Sequence, residues 1–216
     1  MSEESEDSEA DESGEESGDA VPADRKAAVA EAVRRALSKH GYARLTTARI
    51  AAESEMSEAG LYYYYDSKEA MIVAFLEETA DFLARDLAAA EAEGPEEELR
   101  RSLDCLFVDR DDEAARGVKV AVMELLSHAP YDEELREPLL EMESRTLERL
   151  AETVAEGVRT GVFHEVDPRG TAAFLLAAAD GSTGFYLALG VEDVGDRLRE
   201  QASLFVASLL ADGDGG

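Results

Sequence analysis

Residues 46–71, TTARIAAESEMSEAGLYYYYDSKEAM, decide how this chain is read. Tyr62, Tyr63, Tyr64 and Tyr65 are four of its seven tyrosines, and they follow two short helical patterns separated by a turn. Thr46 or Thr47 can cap a first helix over 48–54, with Ile50 and Ala51 facing inward; Glu55 and Met56 make the turn. Ser57 caps a second helix over 58–64, because its hydroxyl accepts from the unpaired N–H groups of a first helical turn. Two short helices joined in this way form a helix-turn-helix, whose second helix enters the major groove of DNA while the first crosses the backbone.

The run Ile50-Ala51-Ala52, Met56-Ser57, Leu61-Tyr62-Tyr63 and Ser67-Lys68-Glu69 resembles the DNA-binding domain of tetracycline-repressor-like (TetR-family) transcription regulators. The family pattern, T-x-x-x-I-A-x-x-A-G-V-S-x-G-x-L-Y-x-H-F-x-S-K-x-x-L, is met at most positions. Three positions depart from it. Glu55 stands where a turn glycine is usual, Ala59 where the recognition helix usually has glycine, and Tyr64-Tyr65 where His-Phe is common. Glu55 requires either a positive φ or a different turn. The resemblance implies an all-α protein of about nine helices: a three-helix DNA-binding domain, then a helical domain for effector binding and dimerisation. It also implies a ligand-responsive regulator, a repressor released from a palindromic operator by a small, partly apolar effector.

Charge is distributed in a way that fits a DNA-binding face. The net charge of −29 over 216 residues is extreme. Residues 1–24 carry 11 Asp/Glu and no Lys/Arg; residues 25–70 carry 8 Lys/Arg against 6 Asp/Glu; residues 71–216 carry 13 against 33. The helix-turn-helix segment alone is net positive, the electrostatic footprint of a nucleic-acid face on a protein otherwise repelled by a polyanion. The surrounding acidity suits a salt-rich cytoplasm, where screening shrinks to a few ångströms. Cys105, the single cysteine, excludes an internal disulfide and a cysteine-based zinc site.

Composition divides the chain further. Residues 1–22 have almost no side chain able to repay ordering entropy and read as a disordered acidic tail, either solvating or competing for the basic face. Residues 23–70 form the DNA-binding domain. Its first helix places Val29, Val33, Ala36 and Leu37 on one face and stops at Gly41. Residues 71–213 form the effector and dimerisation domain, reached through a helix from Lys68 to about residue 92. Further helices are expected over 96–109, 112–128, 132–160, 167–190 and 194–211, with breakers at the joints. The N-terminus has no basic start and no apolar run of a secretory signal. The apolar run 171–191 holds Asp180 at its middle and lacks flanking belts, so it reads as a buried helix rather than a membrane span.

Candidate DNA contacts follow from reach and charge. Ser57, Glu58, Ala59 and Gly60 open the recognition helix; Ala59 and Gly60 are small enough for thymine methyls or sugar edges, and Glu58 either accepts from a cytosine amino group or points at solvent. Arg49 is the candidate base reader of the first motif helix. Arg44, Thr46, Thr47 and Lys68, with hydroxyls from Tyr63 and Tyr64, are candidates for holding the backbone, which positions without specifying. Leu61 and Tyr62 are expected to pack inward, and for Tyr64 and Tyr65 packing against the first helix stands beside contact.

In the C-terminal part, apolar residues at helical spacing are core by default. The family's effector cavity makes Phe107, Met123, Leu126, Phe174 and Tyr186 candidate lining, together with the isolated polar groups His128, Asp180 and Thr183. The last two long helices are implied as the homodimer face. Catalysis is not indicated. No phosphate-cradling glycine loop or nucleophile motif is present, the three histidines have no metal-ligand spacing, and no cofactor is implied. The alternative is a helical co-regulator that uses the motif for protein contact without touching DNA.

Overall fold

The computed structural model describes residues 21–91, 94–107 and 112–211. Most of the expected acidic tail, the last two positions of the helix expected over 96–109, and residues 212–213 lie outside the described residues. Among the described residues nine α-helices follow one another: α1 (Ala23–His40), α2 (Thr47–Ala52), α3 (Glu58–Tyr64), α4 (Lys68–Glu91), α5 (Pro95–Leu106), α6 (Glu113–His128), α7 (Glu133–Arg159), α8 (Pro168–Thr183) and α9 (Glu192–Ser208). Among the described residues no β-strand forms. The all-α reading, with an N-terminal helix-turn-helix and a helical C-terminal part, matches the structure.

Short-range chemistry sets the helix ends. Asp112, Asp132 and Asp167 each turn a side-chain oxygen onto backbone N–H groups at the start of α6, α7 and α8, each such cap supplying about 1 kcal/mol. Gly41 ends α1 at φ 73°, where an L side chain is strained, and its N–H returns to Leu37 O over 2.8 Å. At the motif turn, Glu55 takes no positive φ; among the described residues only glycines do. The Ser54 hydroxyl instead accepts from Met56 N over 3.0 Å, a side-chain-closed turn where the family pattern has glycine.

Two apolar clusters hold the bundle. The first joins Val29, Val33 and Leu37 of α1 to Ile50 of α2, Leu61 of α3 and Met71, Ile72 and Phe75 of α4, then continues into Leu125 of α6 and Leu135 and Leu139 of α7. Each such side chain contributes about 1.5–3 kcal/mol on leaving water. Because the motif helices share this cluster with α6 and α7, they are packed against the body rather than hung from it. The second cluster joins Leu99 and Leu103 of α5, Leu150 and Val154 of α7, Leu175 and Ala179 of α8, and Val206 of α9.

The expected helix over 167–190 is α-helical only to Thr183. A π-helical turn, Gly184–Ala188, follows, and Val191 N reaches back to Phe185 O over 2.9 Å. The sequence Gly181-Ser182-Thr183-Gly184 is poor in helix formers, which favours a change of winding here. No described helix is long and apolar enough to cross a membrane. The run 171–191 buries Ala172, Leu175 and Ala179 in the second cluster.

Candidate functional site

The recognition helix is held by one anchor and one cap. Leu61 is wholly buried, and the Ser57 hydroxyl accepts from Gly60 N over 3.1 Å. Ala59, Tyr62 and Tyr63 stand 100° or more around the helix from this anchor, Ser57 and Glu58 lie at its open N-terminal end, and all five are exposed. Gly60 and Tyr64 are half-buried, and Tyr64 stands edge-on to Tyr63 with centroids 4.8 Å apart. Tyr65 is buried in the first cluster. The inward placement expected of Tyr62 does not occur: Tyr62 is 50 % exposed, and its hydroxyl lies 3.0 Å from Thr47 Oγ1. Leu61 takes the core side of this helix, and Tyr62, 100° around from it, meets Thr47 instead.

The two threonines divide their work. Thr46 is the cap of α2, accepting from Arg49 N over 3.3 Å, and is exposed. Thr47 is buried. Its hydroxyl positions Tyr62, so it stands behind the expected DNA face rather than on it. The Arg49 guanidinium donates to Arg44 O, and Arg44 Nε donates to His40 O over 2.9 Å. Both guanidiniums therefore lie at the loop between α1 and α2, beside the start of the motif. Lys68, at the start of α4, borders Tyr42. Its ammonium lies 4.9 Å from the Tyr42 ring centroid and 3.2 Å from Glu69 Oε1.

Tyr42 joins the motif to the body, a role its sequence position does not announce. It sits in a 3₁₀ turn, Tyr42–Arg44, directly after Gly41. Its N–H donates to Glu124 Oε1 over 2.5 Å, its hydroxyl donates to Asp132 Oδ2 over 2.7 Å, and its ring packs 4.7 Å from His128. Burial, then Asp132, raises the Tyr42 phenol above its usual range. The same hydrogen bond holds the Asp132 carboxyl below its ordinary value. His128, a candidate pocket residue, thus belongs to this junction, because the end of α6 points at Tyr42.

A cavity of about 90 Å³ lies among α4, α5, α6, α7 and α8. Met123, Leu126, Asp180 and Thr183 line it as the sequence suggested. Phe107, His128, Phe174 and Tyr186 do not. Phe107 is buried in the second cluster and borders a larger opening of about 530 Å³ between α1 and α6. Phe174 is 53 % exposed on the outer face of α8, its ring 4.9 Å from Phe205. Tyr186 lies in the π turn, with its Cβ near Gly195 of α9.

Two charged lining residues escaped the sequence reading: Lys119 and Glu143. Burial depresses the Lys119 ammonium, opposed by the attraction of Asp180 and Glu143. Burial, reinforced by Asp180, pushes the Glu143 carboxyl up to about 7. Asp180 is an exposed residue at the cavity mouth, yet desolvation there still raises its carboxyl, with Lys119 opposing. Lys119 was legible in principle as a lone charge in the apolar run Val118-Lys119-Val120-Ala121-Val122. Glu143 was lost among many acidic residues.

On the outside of α8, the π turn and α9, Phe174, Phe185, Leu189 and Leu204 expose 44–68 % of their surface. Such a patch on an acidic protein is unusual for a monomer.

Comparison with known proteins agrees with this geometry. Residues 29–75 match the family model of bacterial regulatory proteins of the tetR family, and residues 95–211 match that of the C-terminal part of BetI-type transcriptional repressors. A TetR transcription regulator from Haloarcula marismortui is similar at 30 % identity and a TM-score of 0.75, over 87 % of this chain and 98 % of that one. A transcriptional regulator from Saccharomonospora viridis in complex with choline is similar at 19 % identity and a TM-score of 0.72, over 88 % of this chain and 100 % of that one. The regulator FadR from Bacillus subtilis in complex with stearoyl-CoA is similar at 18 % identity and a TM-score of 0.67, over 84 % of this chain and 98 % of that one. A search of curated proteins finds no match. The two family models together cover the motif and most of the helical body, and the Haloarcula regulator shares the fold at appreciable identity: the chain belongs to the TetR family of transcription regulators.

Proposed function

We propose that the chain is a homodimeric repressor that holds a palindromic operator through α3 and releases it when a small molecule enters the cavity between α4 and α8. The observation that carries this reading is the outward face of α3, where Ser57, Glu58, Ala59, Tyr62 and Tyr63 stand exposed on the net-positive part of the chain. The apolar patch at Phe174, Phe185, Leu189 and Leu204 supports a twofold dimer through α8 and α9, which would present two α3 helices to successive major grooves. Complexes of similar regulators with choline and with stearoyl-CoA support a small-molecule effector. The acidic surface supports work in a salt-rich cytoplasm.

Helix α6 supplies the connection. Val122, Met123 and Leu126 line the cavity, while Glu124 and His128 meet Tyr42 at the base of the motif. A ligand that moves α6 therefore moves Tyr42 and the start of α2 with it, and the spacing of the two recognition helices changes. Selection of duplexes from a random pool by the purified protein tests the DNA reading. Enrichment of a palindrome with half-site centres one helical turn or more apart supports it, and no enrichment at any salt concentration returns the chain to a protein-binding co-regulator.

A further inference from the structure

The cavity among α4 to α8 holds charges that do not satisfy one another. Among the described residues, Lys119 has no hydrogen-bond acceptor and no carboxylate oxygen within 4 Å, although it is half-buried and lines the cavity. Glu143 and Asp180 line the same space, from α7 and α8, and neither has an ion-pair partner among the described residues. A half-buried ammonium without an acceptor and a half-buried carboxyl without a donor are each costly, and Asp180 adds a second carboxyl at the mouth. Such groups are tolerated where a ligand supplies what they lack.

We infer that the effector is a small zwitterion, whose carboxylate is taken by Lys119 and whose protonated amine is taken by Glu143 and Asp180. This rests on the regulator reading above and names the ligand class for its cavity. A purely cationic ligand would serve the two carboxyls but add a second ammonium beside Lys119. A purely anionic ligand would serve Lys119 but face two carboxylates. A quaternary ammonium brings no N–H for the carboxyls, and its usual partner, an aromatic face, is missing from the described lining, which is otherwise Leu, Val, Met, Ala and Thr. A cavity of about 90 Å³ is small beside ordinary ligand pockets of about 300–1,000 Å³, so the occupant is short. Burial raises both carboxyls and lowers the ammonium, and a zwitterion with matching ends would reverse all three shifts.

The test uses the full chain with β-alanine and 4-aminobutyrate, against propylamine, propionate and choline as size-matched partial ligands. Thermal melting and operator affinity are read in the same samples. At concentrations about 100-fold above Kd, a zwitterion should raise the midpoint by roughly 5–10 °C, and it should weaken operator binding at least ~10-fold, an ordinary allosteric coupling. Lys119→Met keeps the volume and removes an unpaired half-buried charge, so it folds, and it should lose the response to the zwitterions. Glu143→Gln should reduce that response. The inference is overturned if propylamine, propionate or choline acts as strongly as the zwitterions, if Lys119→Met responds like the wild type, or if no zwitterion shifts melting at up to about 100-fold above a Kd of about 1 mM. Intact operator binding without any zwitterion response sinks this inference and leaves the regulator reading standing; absent operator binding with a zwitterion melting shift does the reverse.

Discussion

The hydroxyl of Tyr42 donates to Asp132 Oδ2 over 2.7 Å, and Asp132 Oδ1 in turn accepts from Glu134 N and Leu135 N at the start of α7. One carboxylate therefore caps the longest helix of the body and grips the turn that leads into the DNA-binding motif. With Glu124 on the Tyr42 N–H and His128 against its ring, three groups from α6 and the α7 cap converge on one residue.

Tyr42→Phe removes one donor to a charged acceptor and leaves the ring in place. It should cost about 1–2 kcal/mol of stability near neutral pH, measured by urea unfolding. The Asp132 carboxyl is depressed in the folded state, so its contribution is present above the unfolded carboxylate value and is lost as pH falls through the lower folded value. The variant and wild type should converge in acid. An equal difference at pH 7 and below pH 3 would show that the bond is not the cause.

Glu143 gives the opposite dependence. Its folded value is raised to about 7 by burial and by Asp180, against an ordinary value of 4.5. Between these values the native state holds more protons than the unfolded chain, so the contribution is fully present below the unfolded value and is lost as pH rises through 7. Glu143→Gln should flatten stability between pH 4.5 and 7.5 and gain on the order of 1–2 kcal/mol at pH 7.5 after allowing for solvent screening. Unfolding curves at four pH values check the slope. A variant no more stable than wild type at pH 7.5 would contradict the burial argument.

Phe174→Arg or Leu204→Arg places a charge on the exposed apolar face of α8 or α9 without replacing a buried residue of the second cluster. Light scattering should report monomers, and operator affinity should fall in parallel, because a single half-site keeps only part of the contacts. A variant that stays dimeric would move the dimer interface elsewhere.

Salt should act unusually. Ordinary Lys/Arg binders lose affinity steeply as salt rises, but here salt also screens the body, which carries 33 Asp/Glu against 13 Lys/Arg beyond residue 70. The Debye length falls from about 10 Å at 0.1 M to about 3 Å at 1 M. Operator affinity should therefore fall with a shallow slope, and removal of residues 1–22 should strengthen binding at low salt only. A steep slope, the same with and without those residues, would remove both expectations.

The helix-turn-helix was legible because its information is local: Thr46 and Ser57 cap, Ile50 and Leu61 anchor, and each acts within one helical turn. Even there, the role of Thr47 depended on a partner 15 residues away, Tyr62, which spacing alone does not locate. The site inside the body was half legible. Asp180 stood out as a lone charge in an apolar run, and Met123 and Leu126 lay on the right face of α6. Phe174 was misplaced because the inner and outer faces of an Ala-rich helix look alike when small residues fill both. Tyr42 was missed because its three partners lie 82 to 90 residues away, or across a ring contact that has no sequence signature.

The central claim, that the outward face of α3 is the DNA-reading surface, is tested most directly by Ala59→Glu. Ala59 is exposed in the first turn of α3, where a glutamate suits both helix propensity and the helix dipole, so folding and dimerisation should be unchanged. On a bound dimer the change would set two carboxylates against a polyanion. Fluorescence anisotropy with the selected operator should show a loss on the order of 100-fold or more, with melting and light scattering as for the wild type. Operator affinity within about twofold of wild type would mean that DNA is read by another surface.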